Sequence, residues 1–159
     1  MRHKENGFSL IELLIVVAII LIIAAIAIPN LMRARMSANE SSAVGSIRSI
    51  STGEVSYASA YPSVGFTNLS SLGGAEPCTP STGTACFLDS VLSTGMKEGY
   101  SFAAAGGTPV GSLNTTYTSL GSPLAINETG TRSFCSDQTG VVFYNVNSAT
   151  CNNTNSILQ

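Results

Sequence analysis

Histidine is nearly missing from this chain of 159 residues; the single copy is His3. Beyond that position neither a Ser-His-Asp or Cys-His catalytic set nor a Cys/His zinc site can be assembled. Charge is also scarce. Charged residues make up 10% of the sequence, against about 25% in ordinary globular proteins, and Ser, Thr, Asn and Gly fill the polar positions. Such a surface suits contact with copies of itself or with the outside medium. The formal net charge is −2, and setting residues 1–7 aside removes Arg2, Lys4 and Glu5 and leaves a more acidic remainder. A basic nucleic-acid face is therefore not expected. The acids Asp89, Glu98, Glu128 and Asp137 are scattered, and Gly106-Gly107 reads as a turn, not a phosphate loop. Cysteine occurs four times, all after residue 77 and never as a CxxC pair. No enzyme activity, metal or cofactor is expected.

What is present is concentrated near the start. Residues 1–35 read MRHKENG, then FSLIELLIVVAIILIIAAIAIPN, then LMRAR. From Leu10 to Ile28 every position is apolar except Glu12, a run of 19 residues. At about 1.5 Å per residue it is long enough to cross a bilayer core of roughly 30 Å. Arg2 and Lys4 precede it and Arg33 and Arg35 follow it, so the flanking charges set orientation only weakly. A carboxylate in such a helix costs on the order of 2.5–3.5 kcal/mol or more at the bilayer centre, so Glu12 needs a reason. The leader is too short and polar for an ordinary secretory signal, although Ala24-Ala25-Ile26-Ala27 could imitate a cleavage site. A cut after Gly7 explains more. It leaves Phe8 with a positive amine, four residues from Glu12 and on the same helix face. The amine of one chain could then meet Glu12 of its own chain or of a neighbour, and a paired carboxylate is tolerated where a lone one is not. The competing reading has Glu12 snorkelling to the headgroups.

The stretch Gly7-Phe8-Ser9-Leu10-Ile11-Glu12-Leu13-Leu14-Ile15-Val16-Val17, continuing through Ala18 to Pro29 and Asn30, closely resembles the processing signal of type IV pilins and pseudopilins. The resemblance is strongest over residues 1–60. It implies cleavage after Gly7 by a prepilin peptidase, N-methylation of Phe8, and a role for Glu12 in bringing subunits into register. It further implies residence in the bacterial inner membrane, then polymerisation with copies of itself by a pilus or secretion assembly machinery into an extracellular fibre. Such a fibre serves adhesion, motility or DNA uptake. The alternatives are a periplasmic pseudopilus subunit of a type II secretion system and, more remotely, a membrane-anchored domain that does not polymerise. Major pseudopilins carry an acidic calcium-binding C-terminal loop, whereas here Asp137 stands nearly alone. Only Phe8 among the aromatics precedes Tyr57, which gives no support for a continuous aromatic path along a filament core.

The expected fold is α+β: a long N-terminal helix packed on a four-stranded antiparallel sheet. After the leader, 1–7, the apolar helix covers 8–29 and the amphipathic half 30–61. A Ser/Thr/Gly/Pro-rich connecting loop follows over 62–97, and the sheet head occupies 98–159. Pro29 should kink the helix, and in filaments of the resembled family the stretch before that proline can lose helicity, here Leu21 to Ile28. Val44, Ile47, Ile50, Tyr57 and Tyr61 form one helical stripe, and Pro62 ends the helix. A short helix is expected over Cys86–Leu92, closed by Gly95. Strands are expected at Tyr100–Ala103, Thr115–Leu120, Ser133–Cys135 and Val141–Tyr144, the last two joined by the Asp137-Gln138-Thr139-Gly140 turn. An even cysteine count behind a membrane segment points to two disulfides. Three connectivities are open, and proximity along the chain favours Cys78–Cys86 and Cys135–Cys151. The second resembles the disulfide-bounded C-terminal region of many pilins.

Overall fold

The computed structural model describes residues 8–158. A helix of 51 residues, α1 (Leu10–Ala60), begins two residues inside the expected start and stops before Tyr61-Pro62, because the residue ahead of a proline avoids the helical region. The chain divides after Arg35 into two compact units. In the first, α1 is long and apolar enough to cross a membrane, and none of its most apolar window is buried. The helical assignment runs through Pro29 without a break, and residues 21–28 are helical.

In the second unit the character of α1 becomes two-sided. Ala43, Ile47, Ile50 and Tyr57 are buried, with Val44 and Tyr61 half-buried at the margin of the same core. Their spacing places them on one helical face. Gly53 lies in this stripe because a Cβ there would already touch the Leu88 side chain at 3.4 Å.

That face packs on a six-stranded antiparallel meander, ordered β1 to β6: β1 (Met96–Lys97), β2 (Tyr100–Gly106), β3 (Tyr117–Pro123), β4 (Arg132–Asp137), β5 (Val142–Val146) and β6 (Ser156–Ile157). The expected four strands are its centre. The correction is at the edges, where β1 and β6 have two residues each, too few to show an alternating pattern in the sequence. Strand β2 alternates as a half-buried strand does, with Tyr100, Phe102 and Ala104 turned to the core. Strand β4 is buried on both faces from Ser133 to Asp137. Phe134 faces the core, and Ser136 receives a 3.2 Å hydrogen bond from Ser51 on α1. The alternate residues are covered by the C-terminal segment. Ser133 Oγ donates to Thr150 O at 3.1 Å, Cys135 is bonded to Cys151, and Asp137 accepts from Asn153 Nδ2 at 3.3 Å.

The connection between helix and sheet holds two single-turn helices, α2 (Leu69–Leu72) and α3 (Ser90–Ser93). The helix expected over Cys86–Leu92 therefore begins later. Ala85 N–H donates to Ser71 O, and Phe87 and Leu88 N–H both donate to Leu72 O, so that stretch is committed to α2. Asp89 then caps α3, its Oδ1 accepting from Leu92 N–H at 2.7 Å. Gly95 closes the turn at a φ of 85°, a conformation that favours glycine.

Disulfides join Cys78 to Cys86 and Cys135 to Cys151, with Cα–Cα separations of 6.0 and 5.7 Å. The second fixes the tail over β4. Replacing both Cys135 and Cys151 by serine is expected to lower stability by about 2–4 kcal/mol. The thermal unfolding midpoint of the full chain in detergent measures this, and an unchanged midpoint would show that the hydrogen bonds of Ser133 and Asp137 hold the tail alone.

Candidate functional site

The N-terminal end of α1 is built from the five positions Phe8 to Glu12. Phe8 is 78% exposed. Ser9 stands just before the helix. Its carbonyl accepts from Leu13 N–H at 3.2 Å, and its N–H donates to Glu12 Oε2 at 2.9 Å. A glutamate returning to the N–H of the residue before the helix is half of a capping box. Glu12 is thus held at the positive end of the helix, where a carboxylate is favoured. Ser9 was not among the expected site residues, although the S-x-x-E spacing that signals a capping box is present in Ser9-Leu10-Ile11-Glu12. Gly7, the other half of the expected cleavage position, lies outside the described residues. From Leu10 to Ile28 the large apolar side chains are all exposed, from 45% at Val17 to 80% at Leu10. An apolar surface of that extent, carrying one tethered carboxylate, is a surface to be covered by lipid or protein.

The second unit holds its acids differently. Glu40 on α1 is buried at 6% exposure. Its Oε1 accepts from Thr131 N–H (2.7 Å), Thr131 Oγ1 (2.8 Å) and Arg132 N–H (3.2 Å), and its Oε2 from Arg132 Nε and Nη2, both at 2.8 Å. Burial works to raise its pKa. The two Thr131 donors and the Arg132 guanidinium outweigh that and hold the carboxyl below its ordinary value. Asp137, at the end of β4, shows the same balance: burial raises, and the Thr139 hydroxyl and N–H with the Asn153 amide lower further.

Glu54 is the opposite case. It is fully buried on α1; Oε2 accepts one hydrogen bond, from Thr67 N–H at 3.0 Å, and Oε1 has no partner. Burial pushes its pKa up to about 7, against the lowering effect of the Thr67 N–H. Because the folded value lies above the ordinary 4.5, Glu54 favours folding most at low pH, and that contribution is lost as pH rises to about 7. The loss is about 3 kcal/mol at 1.36 kcal/mol for each tenfold. Urea midpoints are expected to fall between pH 5 and pH 8 in the native chain and to stay level in Glu54→Gln. Equal slopes in the two proteins would refute the assignment.

Among the described residues no group of three His, Cys, Asp or Glu gathers in a way that could hold a metal. The four cysteines form two disulfides, one within the connecting loop and one joining β4 to the C-terminal segment.

Comparison with known proteins places the decisive match on this same N-terminal stretch. Residues 2–28 match the family described as the prokaryotic N-terminal methylation motif. A stretch of 38 residues, 24% of this chain, is 60% identical to 29% of the Thermus thermophilus type IV wide pilus major component PilA4. Over this segment the chain is similar to the type IV pilins. A second stretch, 54 residues and 34% of the chain, is 45% identical to 24% of the type IV major pilin protein PilA of Myxococcus xanthus. The chain thus spans less than a third of either pilin's length in these matches. No solved structure matches it. Type IV pilins are structural proteins, not enzymes, in keeping with the position of the match on an exposed apolar helix.

Proposed function

We propose that the chain is a structural subunit of a type IV pilus. The observation that carries this reading is the uncovered apolar half of α1, opening on Phe8 and the tethered Glu12, within the segment that matches the methylation motif. On this reading a prepilin peptidase cuts after Gly7 and Phe8 becomes the N-methylated terminus. The apolar helix holds the subunit in the inner membrane until assembly, and then packs against the same helix of other copies in an extracellular fibre. Ala24, Ala25 and Ala27 allow close helix–helix approach, as small residues do between membrane helices. Pro29 gives the helix a place to unwind when it leaves lipid. The disulfides and the tail over β4 fit a surface facing an oxidising exterior. The fibre would serve adhesion, motility or DNA uptake.

Mass spectrometry of filaments sheared from the source cells tests this. The expected result is this chain as the dominant subunit, starting at N-methylated Phe8 with all four cysteines oxidised. A processed chain found only in the cell envelope would overturn the pilus reading and favour a pseudopilus subunit. A chain still carrying residues 1–7 would overturn both.

A further inference from the structure

The second unit separates its charges. Five cations lie in the described residues: Arg33, Arg35, Arg48, Lys97 and Arg132. Of the three in residues 36–159, Lys97 is paired with Asp89 at 3.4 Å and Arg132 with Glu40 at 2.8 Å. Arg48 is left as the exposed cation without an acid beside it among the described residues of this unit. The other charges α1 carries there, Glu40 and Glu54, are buried, so its outward face is positive. The rest of the unit has the opposite excess: Glu76, Glu98 and Glu128 are exposed and unpaired.

The Arg48 face is built to be covered. Shallow grooves flank Arg48 and Thr52, one against Gly140 and one against Phe87 and Leu88. Ser49 donates to Gly45 O at 3.0 Å, Thr52 to Arg48 O at 3.0 Å and Ser56 to Thr52 O at 2.9 Å. These hydroxyls already have their acceptors, so removing water from them costs less than removing it from free ones. Val55 and Phe87 add exposed apolar surface, at 58% and 41%.

Glu98 and Glu128 lie together on a corner of the sheet. The β1–β2 and β3–β4 turns are joined where Leu124 N–H donates to Gly99 O at 3.0 Å, and a Cβ on Gly99 would meet Thr129 Cβ at 3.0 Å. The second turn is held rigid by Asn127 N–H to Gly130 O (2.9 Å) and by Glu128 and Thr129 N–H to Ala125 O (3.2 and 2.9 Å). It presents Leu124 at 57% and Ile126 at 38% exposure beside the acids. The corner is therefore an apolar knob flanked by two carboxylates, and the helix face is a small-residue groove with one free guanidinium.

We propose that the Glu98/Glu128 corner of one copy of this chain docks on the Arg48 face of α1 in the next. The occupant is a second copy because charge and apolar surface are complementary within one sequence, and a corner meeting a different face repeats head to tail into an open filament. The proposal rests on the pilus-subunit reading and names a contact between its heads.

The test uses full-length chains expressed in the source cells. Surface filaments are counted after shearing, and processed subunit in the envelope is measured alongside, because all three positions are exposed and their replacement should leave folding intact. Arg48→Glu is expected to lower filament yield about tenfold or more through like-charge repulsion at the contact. Adding Glu98→Arg and Glu128→Arg to it is expected to restore the yield, whereas adding Glu76→Arg is not. In Arg48→Lys filaments, zero-length carbodiimide coupling is expected to give inter-subunit peptides joining position 48 to Glu98 or Glu128. Normal filaments from Arg48→Glu, no rescue by the corner reversals, rescue by Glu76→Arg instead, or coupling of position 48 only to other acids would each overturn the contact while the pilus reading stands. Absence of filaments from the native chain would overturn both.

Discussion

On the pilus-subunit reading, Glu12→Ala is expected to be cleaved after Gly7 and methylated on Phe8, yet to yield no surface filaments. The physical reason lies in where the carboxylate sits. It is fixed near the start of a helix whose following residues are apolar through Ile28 and exposed. Once such helices are bundled, a carboxylate without a partner costs several kcal/mol, and an incoming subunit lowers that cost only by bringing a positive group to it. On the pilus-subunit reading, cleavage after Gly7 would leave the Phe8 amine to supply that group. The structure offers a competing explanation, because Glu12 also accepts the Ser9 N–H and so helps to begin the helix. Glu12→Gln separates the two. Glutamine serves at this position of a capping box, so the helix start survives while the charge is lost. If Glu12→Gln fails to assemble as completely as Glu12→Ala, the charge is what assembly needs. If it assembles normally, Glu12 acts through the helix start alone. Immunoblots of sheared and cell-bound fractions, with the N-terminal peptide read by mass spectrometry, decide between them.

How much of this was legible in the sequence follows the range of each interaction. The apolar run, the stop at Pro62 and the Ile47, Ile50, Tyr57 stripe depend on spacing along one chain segment, and they are found where the spacing placed them. Strands β2 and β3 likewise show their alternation in seven-residue windows. The edge strands do not, since β1 and β6 exist because a neighbour offers hydrogen bonds, not because their own residues alternate. The single-turn α3 was placed too early for the same reason: the carbonyls of Ser71 and Leu72, distant in sequence, capture the backbone of Ala85, Phe87 and Leu88. Among site residues, Ser9 was readable from the S-x-x-E pattern. Glu40 and Glu54 were not. They lie on one helix and differ in nothing that a local window records, and only the fold gives one five hydrogen-bond donors and the other a single one.

Glu40→Ala is expected to destabilise the second unit strongly. Removing one member of a buried ion pair typically costs about 3–5 kcal/mol, because the partner groups are left desolvated. Here the stranded groups are the Thr131 N–H, the Arg132 N–H and the Arg132 guanidinium. The last is 37% exposed and can turn to water, so the loss should fall near the lower end, about 3 kcal/mol. Arg132→Ala should cost less, since Glu40 keeps both Thr131 donors, and the double variant should cost less than the sum of the two singles. Additive losses in urea unfolding would show that the pair is not coupled. The pH dependence gives a second check, opposite in sign to that of Glu54. The Glu40 carboxyl titrates below its ordinary value of 4.5 when folded, so its contribution is complete above that value and is lost as pH falls through the folded pKa. Glu54 loses its contribution as pH rises from 4.5 to about 7. Together they place maximum stability of the native chain near pH 4.5–5. Glu40→Ala should flatten the acid limb and leave the upper one, Glu54→Gln should do the reverse, and a native profile that is flat from pH 5 to pH 8 would contradict the Glu54 half of this balance.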